Sequence, residues 1–331
     1  MDKNTKELLT EKVIEKAALL YGRKKDALYF VGGFENFVYG FDADGKSYIV
    51  RLSHSTHRTL DEIKAEMDFL FYLAHNGANV SMPIKTVSGQ LVESIGCWDG
   101  SQFIVCAFTK AEGEVPTRQN VNKRMFYNYG KTIGFFHRLT KEYREGEGIQ
   151  RRLDWNQDLM IVNADKYLPE SEHVIVERLY EIVSEIRLLD KNRDNYGLIH
   201  TDIHMGNFFV KDDDLMVFDF DDLAYQFFVS DIAIPLFYLV FMIPEEDWIK
   251  WADGFMTEFM KGYLRENRLS REDYLKIPLF LKLREIILYI VVYQALNVEG
   301  DRFAEAYVKR YRDRIINRTP FINLDFDKYY F

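Results

Sequence analysis

The residues best suited to chemistry lie between 197 and 231, where polar side chains recur at short spacing. Asp202 comes two residues after His200, Asn207 lies five residues further on, and Asp219 follows twelve residues after Asn207. A carboxylate on a fixed loop can orient a hydroxyl group and accept its proton. Amide and carboxylate oxygens suit Mg²⁺, which takes one or two protein ligands and completes its shell with water and phosphates. The spacing therefore predicts transfer of a phosphoryl group from a nucleotide to an alcohol.

The other polar residues of this segment support less definite predictions. Asp221 is two residues from Asp219, so on an extended chain both carboxylates face the same side, and Asp221 either contacts a metal ion or bonds the loop backbone. Residues 211–214, a lysine followed by three aspartates, lie between two apolar runs, which favours a solvated hairpin turn over a metal site. Asp231 precedes an apolar helical stretch, which predicts an N-cap that also braces the loop. His200 is expected to hold the loop by hydrogen bonding and packing.

Positioning such residues requires a scaffold, and the hydrophobic pattern predicts one with two parts. Short apolar runs in the first third predict an antiparallel meander, interrupted by one helix. Helical periodicity dominates after residue 108. The predicted strands are 28–31, 37–41, 48–52, 90–96 and 102–108, and the predicted helices are 5–20, 59–76, 119–144, 171–189, 229–242, 245–267, 272–296 and 301–317.

A β-rich first third and a helical remainder predict a two-lobed α+β fold. We expect a small antiparallel N-lobe with one main helix over residues 1–107. Residues 108–331 are expected to form a larger, mostly helical C-lobe that carries the catalytic and substrate-binding elements. A groove between lobes is a usual place for a small ligand.

Composition excludes several classes of protein. Of 331 residues 47% are hydrophobic, and the net charge of −9 comes from scattered acidic residues, which argues against a nucleic-acid binder. The two cysteines, Cys97 and Cys106, form no zinc or redox pattern and suggest a reduced, cytoplasmic location. The polar N-terminus and the short uncharged runs predict neither a signal peptide nor a membrane span. The oligomeric state cannot be read from the sequence.

The motif at 200–207 resembles a known superfamily. Its pattern His-x-Asp-x4-Asn, followed by Asp-Phe-Asp at 219–221, is similar to that of the aminoglycoside phosphotransferase and choline kinase-like proteins, the small-molecule branch of the protein-kinase-like fold. Residues 129–139 resemble the G-x3-G-x2-H-x-L helix of the same superfamily, which we interpret as a structural element whose glycines permit close packing. The resemblance implies ATP or GTP as phosphoryl donor, Mg²⁺, and a small-molecule alcohol as acceptor.

The resemblance also implies where the nucleotide binds. Gly32, Gly33 and Asn36 lie between two predicted strands, where the family keeps its nucleotide-covering loop. Glycines there let backbone amides approach phosphate oxygens, although a glycine pair by itself indicates only a turn. By analogy, the adenine is expected to hydrogen-bond the backbone between Cys106 and Phe108.

A cation on the third strand is the next expectation from the family. Arg51 occupies the place of the usual lysine, and a guanidinium can grip phosphate oxygens without being equivalent to lysine. The alternative is an ordinary surface arginine. Glu66 on the following helix is its expected partner, with Glu62 one turn earlier as the alternative.

Two residues depart from the family pattern. Thr201 stands where many relatives have glycine, which predicts some adjustment of the loop. Asp221 replaces the glycine of the protein-kinase Asp-Phe-Gly, which argues against a protein-kinase activation segment. The implied mechanism has Asp202 as base, Asn207 and Asp219 as magnesium ligands with Asp221 as a further one, and Arg51 on the phosphates.

Three functions remain open at this stage. The leading hypothesis is an ATP-dependent kinase acting on a hydroxyl group of an aminoglycoside-, homoserine- or choline-like molecule. The alternatives are a serine/threonine protein kinase of the stress-response type and a non-catalytic kinase-like binding or structural protein. The acceptor is expected against the helical lobe, whose aromatic residues are mostly core by their spacing: Trp155, Tyr225, Phe228, Phe237, Tyr238, Trp248, Trp251, Tyr289 and Tyr293.

Overall fold

The structure, a computed structural model, describes residues 3–117, 121–241 and 243–331 of the chain. These residues form two compact units that alternate along the sequence, so the predicted boundary at 107 and 108 stays a prediction. The first unit takes in Met1–Gly113, Tyr143–Arg152 and Met216–Asp221, and the second takes in Glu114–Glu142, Leu153–Leu215 and Asp222–Phe331.

The first unit is built on an antiparallel sheet. In chain order its elements are α1 (Lys3–Leu8), α2 (Glu11–Leu20), β1 (Tyr29–Gly32), β2 (Phe37–Ala43), β3 (Lys46–His54), α3 (Leu60–His75), β4 (Pro83–Ile84), β5 (Val92–Gly96) and β6 (Gln102–Thr109). The strand order is β1-β2-β3-β6-β4, and β5 also pairs with β6. Apolar side chains of β2, β3 and β6 form one core with α2.

Local chemistry explains two features of this sheet. The turn between β2 and β3 places Asp44 at φ 50° and Gly45 at φ 73°, the two left-handed residues of a type I′ hairpin. Helix α3 begins after Thr59, whose side chain and that of Glu62 form a capping box. The predicted meander and its central helix are therefore confirmed.

Two predictions about helix bounds are wrong. The predicted helix over 5–20 is divided, because Thr10 has an extended backbone with ψ 161° and separates α1 from α2. The predicted helix over 272–296 is divided as well. Pro278 lacks an N–H and is best accommodated in the first turn, so the long helix begins only at Ile277.

The second unit is mostly helical, with two short hairpin-like sheets. Its elements are α4 (Lys123–Thr140), α5 (Leu159–Val162), α6 (Ala164–Tyr167), α7 (His173–Arg187), β7 (Tyr196–Ile199), β8 (Phe208–Lys211), β9 (Asp214–Val217), β10 (Ala224–Phe227), α8 (Ser230–Phe241), α9 (Trp248–Tyr263), α10 (Arg271–Tyr274), α11 (Ile277–Ala295) and α12 (Arg302–Ile316). Strand β7 pairs with β10 and β8 with β9, whose last residues belong to the first unit. The predicted α+β, kinase-like arrangement is confirmed, although residues 119, 120 and 242 of two predicted helices lie outside the described residues.

Glycines allow α4 and α9 to touch backbone to backbone. A Cβ atom on Gly130 would lie 1.8 Å from the carbonyl oxygen of Phe259, and one on Gly134 would lie 2.6 Å from that of Tyr263. A Cβ atom on Gly262 of α9 would lie 1.8 Å from the carbonyl oxygen of Tyr127. The prediction that the glycines of residues 129–139 permit close helix packing is confirmed.

None of the helices in the described part of the chain combines the length and the apolar composition that a membrane span requires. The predicted cytoplasmic location stays a prediction.

Candidate active site

Residues 200–207, called here the Asp202 loop, connect β7 to β8 in the second unit. His200 is buried, and its Nδ1 accepts a 3.3 Å hydrogen bond from the backbone N–H of Asp202. The Tyr129 hydroxyl of α4 donates a 2.7 Å bond to the carbonyl oxygen of Ile203. His200 therefore holds the loop, as predicted from the sequence.

Thr201 adopts a backbone conformation that explains why many relatives have glycine there. Its φ of 60° lies in the left-handed region, which is strained for a β-branched residue. The Thr201 hydroxyl donates to the carbonyl oxygen of Asp222, and its backbone N–H donates to Asp231 at 2.9 Å. These two hydrogen bonds stabilise the strained turn and account for the expected adjustment of the loop.

Asp231 braces the Asp202 loop, but it does not cap a helix. Helix α8 begins at Ser230, so Asp231 lies inside its first turn and the predicted N-cap is wrong. Its carboxylate accepts hydrogen bonds from the backbone N–H groups of His200 and Thr201, at 3.1 and 2.9 Å. His137 of α4 lies 3.6 Å from the same carboxylate, and burial lowers the pKa of this histidine despite the neighbouring charge. The prediction that Asp231 braces the loop is therefore confirmed.

Asp202 and Asn207 lie next to each other in this loop. The Asn207 amide nitrogen donates to the backbone oxygen of Asp202 at 2.9 Å and to its Oδ2 at 3.0 Å. No described residue donates a hydrogen bond to the Asn207 Oδ1. The amide thus steadies Asp202 while its oxygen remains available, which fits an oxygen ligand of Mg²⁺.

Sequence reasoning missed the cation that binds Asp202. Arg284 of α11 donates through Nη2 to Asp202 Oδ1 and also to the hydroxyl of Tyr238 on α8. His204 Nε2 lies 3.4 Å from Asp202 Oδ2, which gives this histidine a place in the loop that the sequence did not assign. Burial alone would raise the pKa of Asp202, but Arg284, with His204 and His200, holds that pKa well below its ordinary value. Asp202 is therefore ionised throughout the physiological range.

The first unit contains the predicted nucleotide-covering loop. Gly32 and Gly33 have φ values of 153° and 137°. A Cβ atom on Gly33 would lie 1.8 Å from the backbone oxygen of Asn36, so only glycine fits this turn. Asn36 is buried, and its Oδ1 has no hydrogen-bond partner among the described residues.

Arg51 of β3 is buried and paired. Its Nη1 donates to Glu66 Oε1 at 2.9 Å, and its Nη2 donates to Oε2 of the same carboxylate. Glu62 instead completes the capping box at the start of α3. The structure therefore pairs Arg51 with Glu66, as predicted, and excludes the surface alternative, because Arg51 is only 4% exposed.

Asp221 is the centre of a charged group that we call the Asp221 cluster, formed with Arg51, His57, Arg58 and Glu66. His57 Nε2 lies 2.7 Å from Asp221 Oδ2, Arg58 Nε lies 3.4 Å from the same oxygen, and Arg51 Nη1 lies 3.6 Å from Oδ1. Burial alone would raise the pKa of Asp221, yet these three cations hold that pKa well below its ordinary value. Its carboxylate is thus paired with cations.

A metal role for Asp221 stays a prediction. Asp221, His57 and Glu35 each present one ligand atom, and these atoms lie within 4.8 Å of one another. Donor spacing alone would suit a cation, and the neighbouring arginines leave Asp221 Oδ1 buried without a hydrogen-bond partner among the described residues. The alternative interpretation, a bond from the Asp221 side chain to the loop backbone, also stays a prediction. Arg58 and Arg152 donate to the Asp221 carbonyl oxygen at 3.1 and 2.7 Å.

Asp219 also belongs to the first unit. Strand β9 ends at Val217, which hydrogen-bonds through its backbone to Asn79 and Ser81 at 3.0 Å each. Two residues later Asp219 has a φ of 62°, a left-handed conformation that non-glycine residues adopt mostly at special sites. An anchored strand followed by a left-handed residue thus fixes the backbone at Asp219.

The predicted adenine-binding backbone lies on β6. Cys106 faces Arg51 across the β3–β6 register, and its burial raises the pKa of the thiol to about 12. The Arg51 guanidinium lies 5.4 Å from the ring of Phe108. Because β6 is paired with β3 on one side and with β4 and β5 on the other, residues 106–108 lie inside the sheet.

The aromatic residues proposed for the acceptor region divide into two groups. Five are buried and belong to the core, namely Trp155, Phe228, Phe237, Trp248 and Tyr289. Four are partly exposed, namely Tyr225, Tyr238, Trp251 and Tyr293. Among them Tyr238 contacts the guanidinium that binds Asp202.

Comparison with known proteins identifies the family. Residues 26–269, well over half of the chain, match the model of the phosphotransferase enzyme family. An amicoumacin kinase of Bacillus subtilis (strain 168) is 35% identical over 320 residues, which cover 96% of this chain and 95% of that protein.

Solved structures agree in fold. An amicoumacin kinase in complex with AMP-PNP, Ca²⁺ and Ami is 33% identical, covers 99% of both chains and has a TM-score of 0.93. A microcompartment-associated aminopropanol kinase has a TM-score of 0.73 at 18% identity, over 92% of this chain and 98% of that one, and so shows the fold alone. The prediction of a small-molecule kinase is confirmed without its acceptor, and the chain belongs to the phosphotransferase enzyme family.

Proposed function

We propose that this protein transfers the γ-phosphoryl group of ATP to a hydroxyl group of amicoumacin or a closely similar small molecule. The observation that carries the proposal is the Asp202–Asn207 pair, in which the asparagine steadies the carboxylate and keeps its own oxygen available. Support for the acceptor comes from the amicoumacin kinase that is 35% identical over 96% of this chain. GTP is the alternative donor.

Asp202 is proposed to orient the acceptor hydroxyl. A carboxylate with a strongly lowered pKa is a weak base, so it accepts a hydrogen bond first and receives the proton only late in the transfer. A loose transition state, in which the attacking oxygen makes little bond to phosphorus early on, suits this order. Arg284 keeps Asp202 ionised at every working pH.

Asn207 and Asp219 are proposed as the magnesium ligands. Mg²⁺, when bound, would offset charge on the phosphate oxygens. The donor set fits this ion, because an amide oxygen without a partner among the described residues and a carboxylate on an anchored turn are both oxygen ligands. Asp221 is retained as a further candidate.

The nucleotide phosphates are proposed to contact the first unit. Gly33 brings the backbone of the covering loop into a turn that no other residue fits, and Asn36 there has a buried oxygen without a partner among the described residues. Arg51, oriented by Glu66, is proposed to face the phosphates, and Cys106 and Phe108 to border the adenine.

An ADP-release assay with ATP, Mg²⁺ and a panel of alcohols that includes amicoumacin tests the proposal. We expect release only with the acceptor, and a loss of about 10²–10⁴-fold in kcat for Asp202→Asn. Asp219→Ala should abolish the magnesium dependence together with activity. Full activity of both variants would overturn the assigned roles.

The two alternative functions give different results in the same experiment. Transfer of labelled phosphate to protein, lost in Asp202→Asn, would favour a protein kinase. Absence of Mg-ATP binding by calorimetry would favour a non-catalytic protein. Neither alternative is favoured by a specific feature of the described residues.

A further inference from the structure

Arg284 has an unusual position for a structural arginine. It comes from the middle of α11, and its Nη2 donates to Asp202 and to the Tyr238 hydroxyl. Its guanidinium also lies 5.0 Å from the Tyr238 ring. The side chain is 17% exposed, so it is largely, but not completely, withdrawn from solvent.

Only part of the hydrogen-bonding capacity of this guanidinium is used. Arginine has five N–H donors, and both observed hydrogen bonds involve Nη2. Nε is buried without a hydrogen-bond partner among the described residues, and neither of the two hydrogen bonds uses Nη1. A buried donor without an acceptor is destabilising, so such donors usually have a partner in the functional state.

The charge around Asp202 limits what can bind beside it. Arg284 already neutralises the carboxylate, and His204 lies 3.4 Å from its other oxygen. Asp222 adds a second negative charge near the guanidinium. An ammonium group placed next to the reacting hydroxyl would still meet the Arg284 cation, and the Asp202 carboxylate is already paired with that cation. A carbonyl or carboxylate oxygen would instead find donors without partners.

We propose that Arg284 determines acceptor specificity, holding Asp202 through Nη2 while its remaining donors bind a carbonyl or carboxylate oxygen next to the reacting hydroxyl. The acceptor class is then a hydroxy amide or hydroxy acid, in preference to an amino alcohol. This inference rests on the proposed function and adds to it the chemistry that surrounds the hydroxyl. Arg284 acts on the acceptor by direct contact and on Asp202 as a positioning residue.

Binding of three matched probes tests the acceptor class without turnover. The probes are 3-hydroxybutyrate, 3-hydroxybutyramide and 4-amino-2-butanol, which share a carbon skeleton and differ in the group near the hydroxyl. We expect the acid and the amide to raise the Tm of the wild-type protein by about 2 °C at saturating concentration, and the amino alcohol to leave it unchanged. Arg284→Gln should remove both shifts.

Kinetics with amicoumacin separate this role from a merely structural one. Arg284→Gln should raise the KM for the acceptor about 10-fold or more and leave the KM for ATP within about twofold, as expected for one lost charged hydrogen bond. Arg284→Lys should retain a raised acceptor KM, because a lysine keeps the charge but cannot present the same donors.

Arg312→Gln is the matched control. Arg312 of α12 donates to the Glu172 carboxylate at 3.0 Å in the same unit and is not part of the Asp202 loop. Its kinetic constants should stay at wild-type values.

Each contrary result has a definite meaning. Equal protection by the amino alcohol, protection by none of the probes, or an unchanged acceptor KM in Arg284→Gln would overturn the inference. Failure of the proposed function gives a different result, namely no ADP release with any acceptor in the wild-type protein.

Discussion

The Asp221 cluster and the Asp202 loop are both built around an aspartate, but they are stabilised differently. The Asp221 cluster depends on opposite charges, because Arg51, His57 and Arg58 surround one buried carboxylate and Glu66 pairs with Arg51. Two atoms of that cluster, Arg51 Nε and Asp221 Oδ1, are buried without a hydrogen-bond partner among the described residues.

The Asp202 loop depends instead on backbone contacts and close helix packing. Two backbone N–H groups donate to Asp231, the Tyr129 hydroxyl donates to a loop carbonyl, and α4 is held against α9 at Gly130. Hydrogen-bonding capacity remains here too, on Asn207 Oδ1 and on Arg284 Nε. The difference indicates that ion pairs stabilise the first region, whereas hydrogen bonds to the backbone and close helix packing stabilise the second.

The largest effect on stability is expected in the Asp221 cluster. Glu66→Leu leaves Arg51 buried without its main partner and should lower the free energy of unfolding by about 3–5 kcal/mol. The double variant Arg51→Met with Glu66→Leu should recover most of this loss, because a well-packed apolar pair replaces a buried ion pair at little cost. Urea unfolding gives the comparison.

Asp61→Asn on the exposed surface of α3 is the control for that series. Asp61 forms a partly exposed pair with Lys64 at 3.8 Å, so it should change the unfolding free energy by less than about 1 kcal/mol. A small effect of Glu66→Leu, no larger than that of the control, would contradict a charge-dependent cluster.

Disturbing the close packing of α4 against α9 should give the next largest loss of stability. In Gly130→Ala the added methyl group would meet the Phe259 carbonyl, so α4 and α9 must separate, at a cost of about 3 kcal/mol or more. Gly254→Ala on α9 is the matched control, because a Cβ atom there meets nothing within 4 Å and alanine favours the helix. Thermal unfolding measures both, and equal Tm values for the two variants would contradict the packing argument.

Loss of the Asp231 charge, which braces the Asp202 loop, should have a smaller effect on stability. Asp231→Asn removes the charge that accepts from the N–H groups of His200 and Thr201, and should cost about 1.5–3 kcal/mol of stability. It should also lower kcat without raising the KM for ATP, because the loop carries Asp202. Asp313→Asn, at an exposed position of α12, should leave both quantities unchanged.

The smallest effect is a pH dependence in the Asp221 cluster. Burial lowers the pKa of His57, but its hydrogen bond to Asp221 and the charges of Asp221 and Glu35 outweigh this, so the pKa is raised above 6.5 in the folded state. A raised pKa means that the ion pair stabilises the fold fully below pH 6.5 and that this contribution is lost as pH rises through the folded value.

Free energies of unfolding measured from below pH 6.5 to above the folded pKa of His57 test this pH dependence. His57→Gln should flatten the dependence, whereas His173→Gln, at an exposed position of α7, should leave it intact. A wild-type stability that rises with pH over the window would show that the sign is wrong.

Part of the site could be predicted because it is local in sequence. The spacing of Asp202 and Asn207 within one loop predicted their proximity, and the structure shows it. The choice of Glu66 over Glu62 was also recoverable, because Thr59-x-x-Glu62 is a capping-box pattern that commits Glu62 to the start of α3. Short turns and caps depend on neighbouring residues, which the sequence displays directly.

Other contacts required the folded chain. Arg284 lies 82 residues from Asp202 in the sequence. Within an apolar helical stretch, the pattern alone would place an arginine on the exposed face. The strain at Thr201 depends on acceptors at Asp222 and Asp231, which residue type alone does not reveal. Side chains on separate elements meet according to helix packing and strand register, and neither is encoded by spacing.

The sequence by itself determined the class of the protein, its α+β architecture and the residues of one short motif, because hydrophobic periodicity and local spacing act over a few residues. Only the tertiary structure decided which cations face Asp202 and Asp221, and which oxygen and nitrogen atoms are left for a ligand. Those choices depend on burial and long-range charge pairing, whose energies arise only when distant segments are brought together.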